Sequence, residues 1–353
     1  MKMKYIDLKN EDHFKIYGSI ALEDEGYRRL LKEDRDKIRE FNKDVAYLAT
    51  NSSGIQARFK TNSAKINIKV VIDSVANMNH MSALGQCGLD LYVYNQSFNE
   101  YVFHNSTVYN SKLTEYEYDL GRFETNEDKE LILNLPLYMG AKQIEVGIED
   151  DAYLVPNYVR NEERIVIYGT SITQGGCVSR PGMLHTNVIS RWMDCEIFNY
   201  GFSGSAFCEK ELAEAIARVE NPDLFIIDAQ ANAGVDDRLE KNLKLFIETY
   251  KVYHPNVPII IASRIHFAVD LYNKEKIKKR KYYERWLKKV VKDYQQQGEN
   301  IYFLDGSKVF KKHFTEMTVD GIHPNDLGSM EMAKYYYKKI REVLDTNNKN
   351  KEL

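Results

Sequence analysis

Apolar and polar positions alternate over short stretches in the first 150 residues, and from Arg164 onward they gather into continuous apolar runs separated by helical spacing. In the first part, aromatic and β-branched stretches broken by Asn, Ser and Gly predict strands at Ile55–Lys60, Lys65–Ile72, Leu89–Tyr94, Glu130–Leu135 and Gln143–Ile148. Ile66, Ile68, Val70 and Ile72 alternate with Lys65, Asn67 and Lys69, so that strand buries one face and wets the other. With a turn such as Asn51-Ser52-Ser53-Gly54 expected between strands, the pattern predicts a β-sandwich of the jelly-roll type, a compact barrel being the competitor.

The later runs, Ile165–Tyr168, Ile197–Tyr200, Leu224–Ile227, Pro258–Ala262 and Ile301–Leu304, are apolar throughout, as strands of a parallel sheet covered on both faces must be. Between and after them, Glu209–Val219, Arg238–Tyr253, Asn273–Tyr294 and Gly328–Leu344 carry helical spacing. The fold class is therefore α/β with an amino-terminal β-domain. The polar segment Asp150–Glu163, with Pro156, separates the two textures and sets expected domains at 1–155 and 156–353. The tail after Asp345 is polar and expected to fray. The run Lys274, Lys276, Lys278, Lys279, Arg280 and Lys281 reads as the solvated face of an amphipathic helix, a phosphate- or nucleic-acid-binding patch being the other reading.

Charge adds exclusions. With 49 basic and 52 acidic side chains the net charge is -3, which gives no electrostatic case for nucleic acid or an anionic membrane. No apolar run approaches the roughly 20 residues needed to span a bilayer, and Met1–Asn10 lacks an apolar export core, so a soluble, cytoplasmic protein is expected. Cys87, Cys177, Cys195 and Cys208 form no C-x-x-C pair and read as small core residues or free thiols. His185, His254 and His266 lack ligand spacing, so no zinc site is expected.

The strand Ile165–Tyr168 runs into Gly169-Thr170-Ser171-Ile172-Thr173, placing a serine just past the carboxyl end of the first parallel strand, where open α/β sheets hold ligands. Position 173 is Thr, so the G-x-S-x-G elbow is absent, and no Gly-Lys-Ser/Thr follows as in a phosphate loop. A serine hydroxyl is a weak nucleophile until a base takes its proton. After the fifth strand, Asp320-Gly321-Ile322-His323 offers that base, with Asp320 three residues away to accept Nδ1–H and leave Nε2 facing the serine. Two further loops at the same sheet edge carry donors suited to an oxyanion: Phe202-Ser203-Gly204-Ser205 and Gln230-Ala231-Asn232.

With these four blocks in order, the chain from roughly Arg164 to Leu344 resembles the SGNH hydrolases, also called the GDSL family of esterases and lipases. That resemblance implies a flavodoxin-like three-layer α/β/α domain, with Ser171 as nucleophile, Asp320 and His323 as acid and base, and Ser171, Gly204 and Asn232 forming the oxyanion hole. Thr170 replaces the family's usual aspartate, and the third block has a Gln-Ala-Asn form. Gly88-Leu89-Asp90-Leu91-Tyr92 resembles the Gly-x-Asp-Leu-Tyr motif of a β-domain that precedes some members, and Leu135-Pro136-Leu137-Tyr138 fits the same group.

Members of this two-domain kind are mostly carbohydrate esterases. The implied activity is removal of O-acetyl groups from acetylated oligosaccharides of mannan, xylan or xyloglucan type through an acyl-enzyme, with transacetylation as a variant. No metal or organic cofactor is implied. The rivals are a short-chain lipid or thioester hydrolase and a non-catalytic carbohydrate-binding protein. A homodimer is a further expectation, and Asp90 and Tyr92 are expected to hold the domain interface rather than touch substrate. Trp192, Tyr200, Phe202, Phe207, Arg264 and His266 are candidate pocket-lining residues.

Overall fold

The computed structural model describes residues 2–22 and 25–351. Ten strands come first: β1 (Met3–Asp7), β2 (Lys15–Tyr17), β3 (Gln56–Thr61), β4 (Lys65–Ile72), β5 (Asp90–Asn95), β6 (Glu100–Ser106), β7 (Glu115–Arg122), β8 (Lys129–Asn134), β9 (Ala141–Glu149) and β10 (Leu154–Pro156). They make two antiparallel sheets, one ordered β1-β9-β4-β7 and the other β10-β3-β8-β5-β6 with β2 beside β3. The alternation along β4 works as expected: Ile66, Ile68, Val70 and Ile72 point into one core with Ala57 and Phe59 of β3 and Leu131 and Leu133 of β8, so the two sheets pack face to face.

Five strands follow: β11 (Arg164–Gly169), β12 (Glu196–Gly201), β13 (Leu224–Asp228), β14 (Ile259–Ala262) and β15 (Ile301–Leu304). All their pairings are parallel, in the order β12-β11-β13-β14-β15. Alternate residues of each strand serve opposite layers. Val166, Phe198, Phe225 and Ile259 meet the helices Lys210–Ile216, Arg238–Tyr253 and Lys274–Gln296, while Ile165, Ile197, Leu224 and Ile260 meet His185–Met193 and Asp326–Lys351. Burial on both faces is why these strands read as unbroken apolar runs.

Two local expectations are corrected, and two helices are added. The Asn51–Gly54 turn does not join two strands; it follows the helices Lys32–Arg39 and Lys43–Leu48, which the sequence pattern did not announce, and leads into β3. Those helices send Ile38, Val45 and Leu48 into the core formed by Phe198 and Tyr200, so an amino-terminal segment completes the α/β unit. The tail after Asp345 is helical as far as it is described: the last helix continues to Lys351 and buries Asn347, and residues 352–353 lie outside the described residues.

The junction is polar and buried. Arg29 is fully buried and donates to the carbonyls of Leu48, Asn51, Asn199 and Gly201, with its guanidinium 4.9 Å from the Phe202 ring. Gly54, at φ +82°, lies so close to Asn199 that an added Cβ would sit 2.5 Å from that side chain. Asp90 is completely buried and accepts from the Arg180 guanidinium at 2.9 Å, the Gly182 N–H at 2.7 Å and the Asn134 amide at 2.8 Å. Arg180 also donates to the Tyr92 hydroxyl at 2.6 Å. Asp90 and Tyr92 thus clamp the loop that opens the α/β unit's first long connection, in keeping with an interface role.

Candidate active site

Ser171 begins a single helical turn, Ser171–Gln174, at the end of β11, with the Thr170 hydroxyl capping it by accepting the Ile172 N–H. Gly169 is required by packing rather than by its dihedral: a Cβ there would lie 2.1 Å from the Thr173 hydroxyl. The turn is buttressed by the β-domain. Ser53 donates to the Gln174 carbonyl at 2.6 Å, Gln174 donates to the Leu137 carbonyl at 3.4 Å, and the Tyr138 hydroxyl donates to the Ser171 carbonyl at 3.3 Å.

His323 reaches Ser171 from a loop between β15 and the last helix. A Thr318–Pro324 bridge and a Val319 N–H bond to the His323 carbonyl (2.9 Å) close this loop, and Gly321 turns it at φ +84°. The His323 Nε2 to Ser171 Oγ distance is 2.8 Å, and the His323 Nδ1 to Asp320 Oδ2 distance is 2.7 Å. The other carboxylate oxygen of Asp320 accepts the N–H groups of Ile322 (3.0 Å) and His323 (2.8 Å). Partial burial pushes the Asp320 carboxyl up, but the hydrogen bonds from the His323 backbone and ring and from Ile322 outweigh it and hold the group below the usual carboxylate range. An ionised Asp320 fixes the ring with hydrogen on Nδ1, which leaves Nε2 free to accept the serine proton.

Gly204, at φ +70°, has open space where a side chain would be, and among the described residues neither its N–H nor that of Ser171 has a hydrogen-bond partner. The Asn232 side-chain oxygen accepts the Ala206 N–H at 3.3 Å, which leaves its amide hydrogens as the free donors. All three groups line one cavity of about 420 Å³, together with His323. The five sequence-predicted residues therefore meet at one place.

The other predictions fare unevenly. Of the six candidate lining residues only Arg264 borders the cavity. Tyr200 and Phe202 are core residues, Trp192 packs on Tyr337, Phe207 stacks under Arg238, and His266 lies against Phe314. The remaining wall, which the sequence reading missed, includes Phe267, Val269, Lys276, Lys279, Arg280 and Tyr283. The four cysteines are buried and unbridged. His185, His254 and His266 do not come together, but His80 from the β-domain was missed as a neighbour of the site: His80, Cys177 and His323 each bring one potential ligand atom within 4.8 Å of the others. Both His323 nitrogens are engaged by Ser171 and Asp320 in this arrangement. Among the described residues no helix is long and apolar enough to cross a membrane.

Comparison with known proteins agrees with this geometry. Residues 162–341 match the GDSL-like lipase/acylhydrolase family, and residues 3–154 match the amino-terminal domain of SGNH-hydrolase-type esterases. A structure described as a GDSL-like lipase from Bacteroides ovatus superposes with a TM-score of 0.88 at 30% identity, covering 98% of each chain. A salicylyl-acyltransferase from a tetracycline biosynthetic pathway (TM-score 0.77, 18% identity, 97% of each chain) and a family two carbohydrate esterase from Cellvibrio japonicus (0.61, 12%, 98% of each chain) share the fold. No curated protein matches the sequence. The site geometry and the two family matches lead to one conclusion: the chain belongs to the GDSL-like lipase/acylhydrolase family, carrying the β-domain of SGNH-type esterases at its amino terminus.

Proposed function

We propose that the protein is a serine esterase that removes O-acetyl groups from plant-polysaccharide oligosaccharides of mannan, xylan or xyloglucan type. The observation that carries the proposal is the unbroken chain Asp320–His323–Ser171, at 2.7 and 2.8 Å, opening on a cavity that also holds Gly204 and Asn232. His323 takes the Ser171 proton as Oγ attacks the ester carbonyl. The oxyanion then faces the Ser171 and Gly204 N–H groups and the Asn232 amide. His323 returns the proton to the departing sugar oxygen, and water or a second sugar hydroxyl, deprotonated by the same ring, releases the acetyl group from Ser171.

The carbohydrate assignment is supported by the likeness over both units to the Cellvibrio japonicus family two carbohydrate esterase and to one from Clostridium thermocellum in complex with cellohexaose. The sheet order β1-β9-β4-β7 facing β3-β8-β5-β6 also supports reading residues 1–155 as a jelly-roll domain joined to a hydrolase unit at 156–353, with the helices Lys32–Arg39 and Lys43–Leu48 of the first segment packed onto the second unit. A second reading, a short-chain lipid or thioester hydrolase, is favoured by the apolar wall of Ile172, Val235, Phe267 and Val269.

The test is to incubate the enzyme and its Ser171→Ala variant with acetylated mannan, xylan and xyloglucan oligosaccharides, following each acetyl signal by NMR beside acetyl and long-chain model esters. Serine-dependent loss of sugar acetyls is expected. Cleavage of only the longer esters moves the protein to the second reading, and unchanged activity in Ser171→Ala removes the nucleophile.

A further inference from the structure

The wall of the Ser171 cavity carries a charge imbalance that the esterase chemistry does not use. Arg264, Lys276, Lys279 and Arg280 line it, and among the described residues no carboxylate does. Three acids stand behind this wall, of which Glu240 accepts from the Tyr283 hydroxyl at 3.4 Å and from Tyr282. Asp270 takes both arms of Arg264, at 2.8 and 2.6 Å, and Glu284 takes Arg280 Nη1 at 3.0 Å and Lys288 at 2.8 Å. Burial pushes the Asp270 carboxyl up, yet its bonds to Arg264 hold it below the usual range, so it is ionised and committed. Asp236, which also feels Lys279, is held by Arg238 at 2.8 Å.

What is left over is positive. Lys276 has no ion pair among the described residues, and Lys279 reaches only the Val235 carbonyl. Arg280 is 7% exposed, and its Nε hydrogen is buried with no hydrogen-bond partner, the nearest Asp270 oxygen being 3.6 Å away. Beside these charges the wall carries the apolar Val235, Phe267 and Val269, which strengthens a charge interaction next to them.

We infer that this wall binds an anionic group, a carboxylate or a phosphate, on a part of the ester substrate that does not react. The inference rests on the reading of Ser171 as the nucleophile of the same cavity, and it narrows the substrate class to esters bearing such a group. The lysine run of the Lys274–Gln296 helix is then a recognition element as well as a solvated face, with Lys276 and Lys279 in the cavity and Lys274, Lys278 and Lys281 outside it.

The test compares an acetylated methyl glucoside with an acetylated methyl glucuronoside and an acetylated glucose 6-phosphate. Turnover is measured with wild type, Lys276→Ala/Lys279→Ala and, as a control on the same helix, Lys289→Ala; binding of each ester is measured with Ser171→Ala alone and combined with Lys276→Ala/Lys279→Ala. Wild type is expected to favour one or both anionic esters by about tenfold in kcat/KM, mainly through KM, and the double variant to lose most of that ratio while Lys289→Ala keeps it. The preference is also expected to shrink as salt is raised. The two anionic arms separate carboxylate from phosphate. Serine-dependent turnover with no charge preference overturns this inference and leaves the esterase reading standing. Lysine-dependent binding of the anionic esters without turnover does the reverse. Equal binding of all three esters by Ser171→Ala overturns the inference whatever the turnover.

Discussion

Asp228 ends β13, directly before the loop that carries Asn232, and its carboxylate is almost completely buried with one partner, the Tyr336 hydroxyl at 2.7 Å. Burial raises its pKa from the ordinary 3.8 to about 6, because one hydrogen bond does not replace the water a carboxylate loses. A raised carboxyl pKa means the folded state holds its proton more tightly than the unfolded chain. Stability from this group is therefore fully present below pH 3.8 and is lost as pH rises through about 6. A shift of about two units corresponds to about 3 kcal/mol above pH 7. Asp228→Asn keeps an oxygen for Tyr336 and cannot ionise, so the variant should escape this loss. Relative to wild type its stability should climb by about 3 kcal/mol between about pH 4 and pH 8, or about 6–12 °C in Tm for a unit of this size. The check is thermal unfolding of both proteins at intervals across that range. An imperfect fit of the new amide adds a constant offset, which the pH dependence ignores. A wild-type-to-variant difference that stays flat across the range refutes the reasoning, because it would mean the buried carboxyl titrates alike in both states.

Other expectations follow from the same geometry. In Asp320→Asn the side-chain oxygen is claimed by the Ile322 and His323 N–H groups, so the new amide must face His323 Nδ1 and force the hydrogen onto Nε2; kcat should fall by at least about 100-fold with the fold intact, and a loss under threefold counts against the assignment. Asn232→Ala removes one oxyanion donor and should lower kcat by about 100- to 1,000-fold with little change in KM, measured on any ester the wild type turns over. Asp90→Ala strands the Arg180 guanidinium, the Gly182 N–H and the Asn134 amide at the domain junction; chemical unfolding should show a loss of about 3–5 kcal/mol, and one below about 1 kcal/mol would show that the junction does not depend on it.

Much of this arrangement was legible before any coordinates. The strand predicted at Lys65–Ile72 is β4 residue for residue, and Leu224, Ile226, Phe225 and Ile227 read as a buried strand because they feed two cores at once. The Asp320–His323 spacing is short enough for one Gly-containing turn to close it, so that pair was visible in four consecutive residues. The short helices Lys32–Arg39 and Lys43–Leu48 were not visible. At eight and six residues they are too short to repeat a helical period, and their place was set by the far-off surface of Phe198 and Tyr200 that needed covering.

The sequence by itself determined the two textures, the parallel character of the second unit's sheet and the groups able to perform acyl transfer, because those follow from local periodicity and from residues a few positions apart. Tertiary structure alone decided what surrounds Ser171. His80 and Tyr138 arrive from the β-domain, and Lys276, Lys279 and Arg280 arrive on one side of a helix more than 100 residues downstream. Hydrophobic periodicity tells which face of a helix is buried. It does not tell what the polar face looks onto, since that depends on how the helix is rotated and docked against elements distant in the chain.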